Sequence, residues 1–493
     1  MRLAPFNTLS AKEPHLAHWL QRLKPKSAFA RGVGVLVGGT AGSQLLVVLA
    51  APLLTRLYTP EDFGVLAVYA SLLGLIAVIA SLRYELAIPL PEDAAEAANV
   101  AALSLILIGV NTLLAGVLTI FLRQPISSAL GVPQLAPYLW LLPLGVLTGG
   151  VYNVFNYWAV RTKRFGTIAG TRIAQSLATL FIQLATFKLG GIALLVGQVT
   201  GQSAGTVRLG RAAFAGGGFS TVSWTGIKQA ARRYQRFPLF STWEGLANTA
   251  GLQLPPLLFA MLFGSAAAGL YSLANRVLSL PLSLIGNAIG QVFFSNAAEA
   301  RRNGQLGPLV AQLHSRLAHI GLPPAVIIML IGGDLFEFVF GAQWRQAGEF
   351  AQWMAPWLYL VFVSSPLSTL FAVTEKLKQG LAFQVILLAA RLVAIGLGAW
   401  IGDLAMTVML FTGASAACWL GFLFWVSHIS GNTARSMVQP SLTAFGVALL
   451  CALPVIIGNN LLAAHPFAWV VSLVISSLLI GARYWQLLRK AYT

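Results

Sequence analysis

Long apolar runs recur from one end of the chain to the other, and they constrain its fold more than any other feature. A helix needs about 20 mostly apolar residues to cross the hydrocarbon core of a bilayer. The sequence therefore predicts an all-α polytopic membrane protein. Breaks near 188–190 and 402–403 are weak, so twelve spans is the alternative to fourteen. The fourteen runs lie near residues 32–55, 64–88, 98–122, 136–160, 165–187, 189–209, 238–263, 268–295, 316–338, 349–373, 380–402, 404–427, 439–458 and 466–486.

Charge is too scarce for a water-facing surface, because 9% of the residues are charged and a soluble domain carries about 25%. The net charge of +18 is spread over many loops and forms no basic face, so we expect no nucleic-acid partner. No metal-ligand spacing, nucleophile–base pair or nucleotide motif is evident. We therefore expect a protein that is not an enzyme and uses no cofactor.

The distribution of basic residues predicts the orientation in the membrane. With the N-terminus placed in the cytoplasm, the inner tails and loops hold 24 of the 32 Lys and Arg. The outer loops hold only Arg56, Arg123, Lys188 and Arg345. This bias is typical of a bacterial inner membrane protein with both termini in the cytoplasm. The outer loops are also short, which argues against a membrane glycan polymerase or ligase.

Three sequence matches predict an internal repeat with a period of six spans. TAGSQL at 40–45 recurs as TAGLQL at 249–254, Gly64 recurs as Gly269, and AVRTK at 159–163 resembles AVTEK at 372–376. A parallel repeat of this kind is a plan that transporters use, with the substrate path between the halves. We divide the chain into a tail or interfacial helix (1–30), a lobe with spans 1–6 (31–236), a lobe with spans 7–12 (237–430) and two additional C-terminal spans (431–493).

Four arginines, Arg83, Arg172, Arg276 and Arg391, fall within or near spans two, five, eight and eleven. An arginine in a span usually faces a wet cavity or a partner, so we expect a positively charged cavity between the two halves. The alternative is that Arg83 and Arg276 lie near helix ends and extend their charges to the interface.

Two acidic residues, Glu244 and Glu85, are candidates for ion coupling. Glu244 is predicted to lie in the seventh span, where pairing with a neighbouring arginine is favoured over ion coupling. Glu85 follows Arg83 by two residues, a spacing that would not place the two side chains on one helix face.

Several segments resemble Wzx-type polysaccharide flippases of the multidrug, oligosaccharidyl-lipid and polysaccharide exporter superfamily. The most specific are LLTRLYTPEDFG at 53–64 and LRYELAI at 82–88. Others are RFPLF at 236–240, AGLY at 268–271 and FGAQW at 340–344. The resemblance covers about residues 31 to 430.

The resemblance implies two six-helix lobes around a central cavity and a substrate made of undecaprenyl-diphosphate-linked oligosaccharide repeat units. With this substrate, the four arginines would bind the diphosphate and the sugars. It also implies movement of this substrate from the inner to the outer leaflet, for O-antigen, capsule or exopolysaccharide assembly. The implied partners are membrane lipids and, as candidates, a polysaccharide polymerase and a chain-length regulator. A lipid II flippase, which fourteen spans would favour, and a drug or cation antiporter of the same superfamily are the alternatives.

Overall fold

The computed structural model describes residues 28–215, 219–461 and 468–492. Within these ranges the chain is almost entirely helical, and each predicted span corresponds to one long helix, which confirms the all-α polytopic fold. Most of the predicted tail (1–30) lies outside the described residues. The long helices are α1 (Ala28–Leu57), α2 (Pro60–Ala80), α3 (Ala94–Ala129), α4 (Leu141–Arg161), α5 (Phe165–Ala185), α6 (Gly191–Phe214), α7 (Thr242–Phe263), α8 (Ser265–Arg302), α9 (Leu306–Phe340), α10 (Arg345–Ser364), α11 (Leu377–Ile401), α12 (Leu404–Ile429), α13 (Ala434–Leu461) and α14 (Ala468–Tyr492).

Ten of these helices, counted over the described residues, are long and apolar enough to cross a membrane. The other four, α4, α5, α6 and α8, are as long as typical spans but contain more polar side chains. A helix that faces neighbouring helices or a wet interior needs fewer apolar side chains than one that faces lipid. From their composition, these four helices are therefore expected to face the interior of the bundle more than the lipid.

Both weak breaks in the apolar pattern are true turns. Gly190 adopts a positive φ of 65° before α6. Gly402 adopts a left-handed conformation at the end of α11, and the Asp403 carboxylate accepts a hydrogen bond from the Met406 N–H at 3.1 Å to cap α12. A separate helix therefore begins after each of the two breaks, so the structure has fourteen long helices in its described residues and not twelve.

The second predicted span is shorter than the apolar run suggests. Helix α2 ends at Ala80, whereas the sequence predicts a helix to residue 88. Leu82 and Arg83 have φ values of 51° and 63°, and a short 3₁₀ helix (Tyr84–Ala87) follows. Apolar composition cannot reveal this turn, because the residues after it are also mostly apolar and buried.

The helices meet in a large core that joins α1–α6 to α7–α12. Contacts between the two sets of helices run mainly along α2, which packs against both α7 and α8. Helix α13 packs on α9 through a separate apolar cluster that includes Ala318, Val326, Ala444 and Ala448, and α14 packs on α13. The last two helices are therefore attached to one side of the second set.

The starts of α2 and α8 contact each other reciprocally. A Cβ atom added at Gly64 would lie 1.8 Å from the Ser265 carbonyl oxygen, and one added at Gly269 would lie 1.9 Å from the Pro60 carbonyl oxygen. Only glycine permits backbones to approach this closely. The repeat therefore places its two matching glycines on opposite sides of one local two-fold axis.

The repeated turns after α4 and after the short helix Leu370–Val373, which follows α10, are shifted by one residue from the match in the sequence. Thr162 and Thr374 each donate a side-chain hydrogen bond to a carbonyl four residues earlier, and the residues after them, Lys163 and Glu375, both have positive φ. The structure thus matches Lys163 to Glu375, whereas the sequence match pairs Lys163 with Lys376. The equivalent positions in the two halves are therefore defined by the backbone conformation of the turn and not by the identity of the side chains.

Candidate functional site

Arg172 ties α5 to the first helix of its own half. Its guanidinium group donates a hydrogen bond to Thr40 Oγ1 on α1 and lies beside the hydroxyl of Tyr152 on α4. The side chain is half-buried. An arginine has five N–H donors, so these contacts leave donors for a ligand.

Arg391 occupies the corresponding helix of the second half, α11. Its Nε donates to Ser415 Oγ at 3.1 Å and its Nη1 donates to the Gly251 carbonyl oxygen at 3.3 Å. The guanidinium lies 5.2 Å from the Trp357 ring centroid and 5.5 Å from that of Phe411. These aromatic faces stabilise the cation and hold its plane in one orientation.

The two arginines share one feature that the sequence did not reveal. Their acceptors, Thr40 and Gly251, both belong to the repeated TAG motif of α1 and α7. Each arginine therefore joins the fifth helix of its half to the first helix of the same half. The structure brings Arg172 and Arg391 to equivalent elements of the repeat and does not bring them together in one contact.

Arg83 reaches from the first set of helices to the second. A Cβ atom added at Gly245 on α7 would lie 3.1 Å from the Arg83 Cζ. The Arg83 Nε is buried and has no hydrogen-bond partner among the described residues. Its left-handed backbone is a conformation that costs energy outside glycine and that often marks functional sites. Arg83 thus follows the end of α2, and its guanidinium lies beside Gly245 of the other half.

Glu85 lies next to this contact and is 4% exposed. Its carboxylate accepts a hydrogen bond from Ser81 Oγ, and the Arg83 charge acts on it. Burial nevertheless raises the pKa of Glu85 above its usual value, because it outweighs the Ser81 hydrogen bond and the Arg83 charge, which both lower that pKa. The buried carboxyl group of Glu85 therefore lies near the Arg83 guanidinium and favours the neutral form more than an exposed carboxyl group does.

Arg276 and Glu244 are both exposed. Arg276 lies 11 residues after the start of α8, well inside the helix and away from its ends. Glu244 lies in the first turn of α7, nearer the helix start than predicted, and precedes the glycine that contacts Arg83. Neither side chain forms an ion pair with a described residue, so the predicted pairing of Glu244 with an arginine is not observed in this part of the chain.

Carboxylate partners are found elsewhere. The ion pairs of the described residues lie at helix ends, as in Arg345 with Asp334 at 2.7 Å and Arg233 with Glu96 at 2.8 Å. None of the four candidate arginines forms an ion pair with the carboxylate of any described residue. Four basic side chains at or near membrane depth thus form no ion pair with a described carboxylate, which favours an anionic ligand.

A second contact between the two sets of helices closes the end where α1 ends and α2 begins, the predicted outer end. Trp344 Nε1 donates to the Thr55 carbonyl oxygen at 2.8 Å, and Gln343 Nε2 donates to the Thr55 and Tyr58 carbonyl oxygens at 2.8 and 3.1 Å. The Phe63 and Trp344 rings meet edge to face. Sequence reasoning did not name these residues as functional, although they lie in the 53–64 and 340–344 segments that carry the family resemblance.

Comparisons with known proteins identify one relative by sequence and several by fold. The succinoglycan biosynthesis transport protein ExoT of Rhizobium meliloti (strain 1021) is 25% identical over 326 residues, a region that spans 64% of this chain and 63% of ExoT. The fold resembles that of the lipid II flippase MurJ in an inward closed conformation, with a TM-score of 0.70, 11% identity and coverage of 94% of this chain and 99% of that one.

The fold also resembles an inward-facing multidrug resistance MATE family transporter of the MOP superfamily. The TM-score is 0.61 at 15% identity, over 79% of this chain and 94% of that one. At these identities the two likenesses establish a shared fold. Residues 53–349 match the family model described as polysaccharide biosynthesis protein. Because that match covers more than half of the length of this chain, the chain belongs to the polysaccharide biosynthesis protein family, and its fold is that of a polytopic membrane protein.

Proposed function

We propose that this protein is a flippase for undecaprenyl-diphosphate-linked oligosaccharide repeat units. It would move them from the inner to the outer leaflet of a bacterial inner membrane, with both of its termini in the cytoplasm. The repeat units would then serve O-antigen, capsule or exopolysaccharide assembly. The observation that carries this proposal is that these four arginines form no ion pair with the carboxylate of any described residue.

The depth of these arginines supports a path for a charged head group. Measured along the helix axes from the predicted outer ends, Arg276 lies about 17 Å in, Arg391 about 15 Å and Arg172 about 20 Å. All three therefore fall near the middle of a hydrocarbon core about 30 Å thick. Arg83 follows the inner end of α2. This spacing suits an anion that first meets Arg83 and then passes to the three deeper cations.

Guanidinium chemistry matches a diphosphate. Each planar group can donate two parallel hydrogen bonds to phosphate oxygens. An arginine at mid-membrane costs about 2.5–3.5 kcal/mol on insertion scales, and a ligand with opposite charge offsets that cost. A cation antiporter would instead need acidic groups along its path.

The membrane potential can drive the proposed direction. Moving one negative charge outward releases about 2.3 kcal/mol per 100 mV when the inside is negative. A head group with a charge of about −2 would thus gain about 4.6 kcal/mol on the same scale. The contact at the outer end, through Trp344 and Thr55, would have to open for release, and the contact of Arg83 with Gly245 would change as the two sets of helices move.

A lipid II flippase is the second candidate. It is favoured by the fourteen long helices and by a fold likeness that extends over 94% of this chain. The head-group chemistry is the same for both candidates, so the sugars distinguish them.

The test is a leaflet assay in proteoliposomes with a fluorescent undecaprenyl diphosphate that carries a short glycan. We expect Arg172→Ala, Arg276→Ala and Arg391→Ala each to slow flipping at least tenfold while the protein still inserts. Arg435→Ala, which changes an exposed arginine on α13, is the matched control and should flip at the wild-type rate. Undiminished flipping by all three variants would refute the proposal. The same leaflet assay with lipid II as the substrate distinguishes the oligosaccharide flippase from the lipid II flippase.

A further inference from the structure

Helix α8 is much longer than its counterpart in the repeat. The two helices begin at the reciprocal glycine contact, but α2 has 21 residues and α8 has 38. The difference corresponds to about 25 Å of additional helix. This extension carries α8 beyond the thickness of the hydrocarbon core, on the predicted cytoplasmic side. It has no equivalent in the first half, where a short turn follows α2.

A cleft lies between this extension and the first turns of α9. It consists of two adjoining cavities of about 630 and 350 Å³, which share Asn296, Leu309 and Gln312. The larger cavity is also lined by Glu299, Asn303 and Gln305. Cavities of about 300–1,000 Å³ are typical of sites that hold small organic ligands.

The chemistry of the cleft suits a polyhydroxylated ligand with no net charge. Four of its side chains are amides, and an amide both donates and accepts hydrogen bonds without carrying charge. Sugar hydroxyls have the same dual capacity. The charged residues, Glu299 in the larger cavity and Arg316 in the smaller one, have opposite signs and form no ion pair with any described residue.

The amide groups of the larger cavity are accessible. Asn303, Gln305 and Gln312 are exposed, and the Gln312 side chain makes no hydrogen bond with any described residue. In the smaller cavity, Phe293 and Leu313 provide an apolar wall. Sugar rings present C–H faces as well as hydroxyls, so an apolar wall opposite amides fits both sides of a ring.

We propose that this cleft is a carbohydrate-binding site on the cytoplasmic side. Before translocation it holds those sugars of the lipid-linked glycan that lie farthest from the diphosphate. This inference rests on the proposed flippase function. Asn296 lies 20 residues beyond Arg276 on the same helix, a distance of about 30 Å. The cleft is therefore reached only by the distal part of an extended glycan, and it selects for repeat units of several sugars over a lipid that carries one sugar.

The first test is a binding measurement that does not depend on transport. The purified protein in detergent is mixed with a neutral glucose tetrasaccharide, and contact is measured by saturation-transfer difference NMR. We expect a signal for the wild type and a loss of about tenfold in affinity for the double variant Asn303→Leu/Gln312→Leu, because two neutral hydrogen-bonding groups are removed. Gln229→Leu, which changes an exposed glutamine on the short helix Trp224–Arg233, is the matched control. No wild-type signal, or an equal signal from the double variant, would overturn the inference.

The second test compares flipping of undecaprenyl diphosphate carrying one sugar with flipping of the same lipid carrying a tetrasaccharide. The double variant should slow only the tetrasaccharide lipid. If the wild type moves both lipids and the double variant matches it, the cleft inference fails and the flippase function stands. If the wild type moves neither lipid, the flippase function fails, and the NMR result decides separately whether the cleft binds sugars.

Discussion

The Arg83 guanidinium lies against Gly245, so a cation on the first half of the repeat contacts the first helix of the second half. A Cβ atom at Gly245 would come within 3.1 Å of the Arg83 Cζ. The backbone of Arg83 is left-handed, which directs its side chain away from α2 and toward α7. This contact and the Trp344–Thr55 hydrogen bond are at different ends of the bundle. Both must change if the two halves move relative to each other.

A larger side chain at position 245 should displace Arg83. We expect Gly245→Leu to lower flipping as strongly as Arg83→Ala does, and Gly245→Ala to have a smaller effect because the end of an arginine side chain can shift. Gly446→Leu on α13 is the control, since Gly446 is exposed and an added Cβ there meets no atom within 4 Å. Wild-type flipping by Gly245→Leu in the proteoliposome assay would show that this contact is not part of the path.

Alanine at Gly64 or Gly269 should destabilise the protein. The added Cβ would lie 1.8 or 1.9 Å from a carbonyl oxygen of the facing helix, and backbone atoms cannot move aside as a side chain can. Overpacking of this kind typically costs about 1–3 kcal/mol. Thermal unfolding in detergent measures the loss. Gly109→Ala on α3, where nothing lies within 4 Å, should unfold at or slightly above the wild-type temperature. Equal stability of all three variants would contradict the close contact of α2 with α8.

A lysine at position 391 should not support flipping at the wild-type rate. It keeps the charge but loses the planar group that donates to Ser415 and Gly251 and lies over two aromatic rings. We expect Arg391→Lys to slow flipping about tenfold, since two oriented hydrogen bonds are lost, whereas Arg435→Lys should flip normally. If Arg391→Lys transports at the wild-type rate, charge alone is sufficient at this position.

The stability of the protein should depend on the protonation of Glu85. Burial raises the pKa of its carboxyl group above the usual value of 4.5, so the folded state favours the neutral form. The stability contributed by that form is complete below about pH 4.5 and is lost as the pH rises through the raised pKa. Glu85→Gln, which stays neutral, should remove this loss. We expect the variant to unfold at a higher temperature than the wild type at neutral pH, and the gap to close in acid.

The control for this prediction is Glu92→Gln, a change at an exposed acid in the same inner turn. Its unfolding temperature should follow that of the wild type across the pH range. A constant gap between Glu85→Gln and the wild type at all pH values would exclude titration of Glu85. Measurement of flipping over the same range would show whether Glu85 also takes part in ion coupling.

The sequence by itself determined the helices of this protein. Bilayer thickness sets the length of an apolar run, and Gly190 and Gly402 mark the breaks, so helix number and approximate position are local properties. The arginines could be found in the same way, because a charge in an apolar run is conspicuous. The resemblance to polysaccharide flippases was also available at this level, and the family match confirms it.

Tertiary structure alone decided what those residues contact. Arg172 bonds to a residue 132 positions away and Arg391 to one 140 positions away, and no local pattern encodes such pairs. The left-handed turn at Arg83 arises within an apolar stretch that composition reads as helix. The extension of α8 and the cleft beside it depend on where the chain reverses direction between α8 and α9. Local length and polarity specify the helices, but distant side chains and backbone approach determine how their charged groups are arranged.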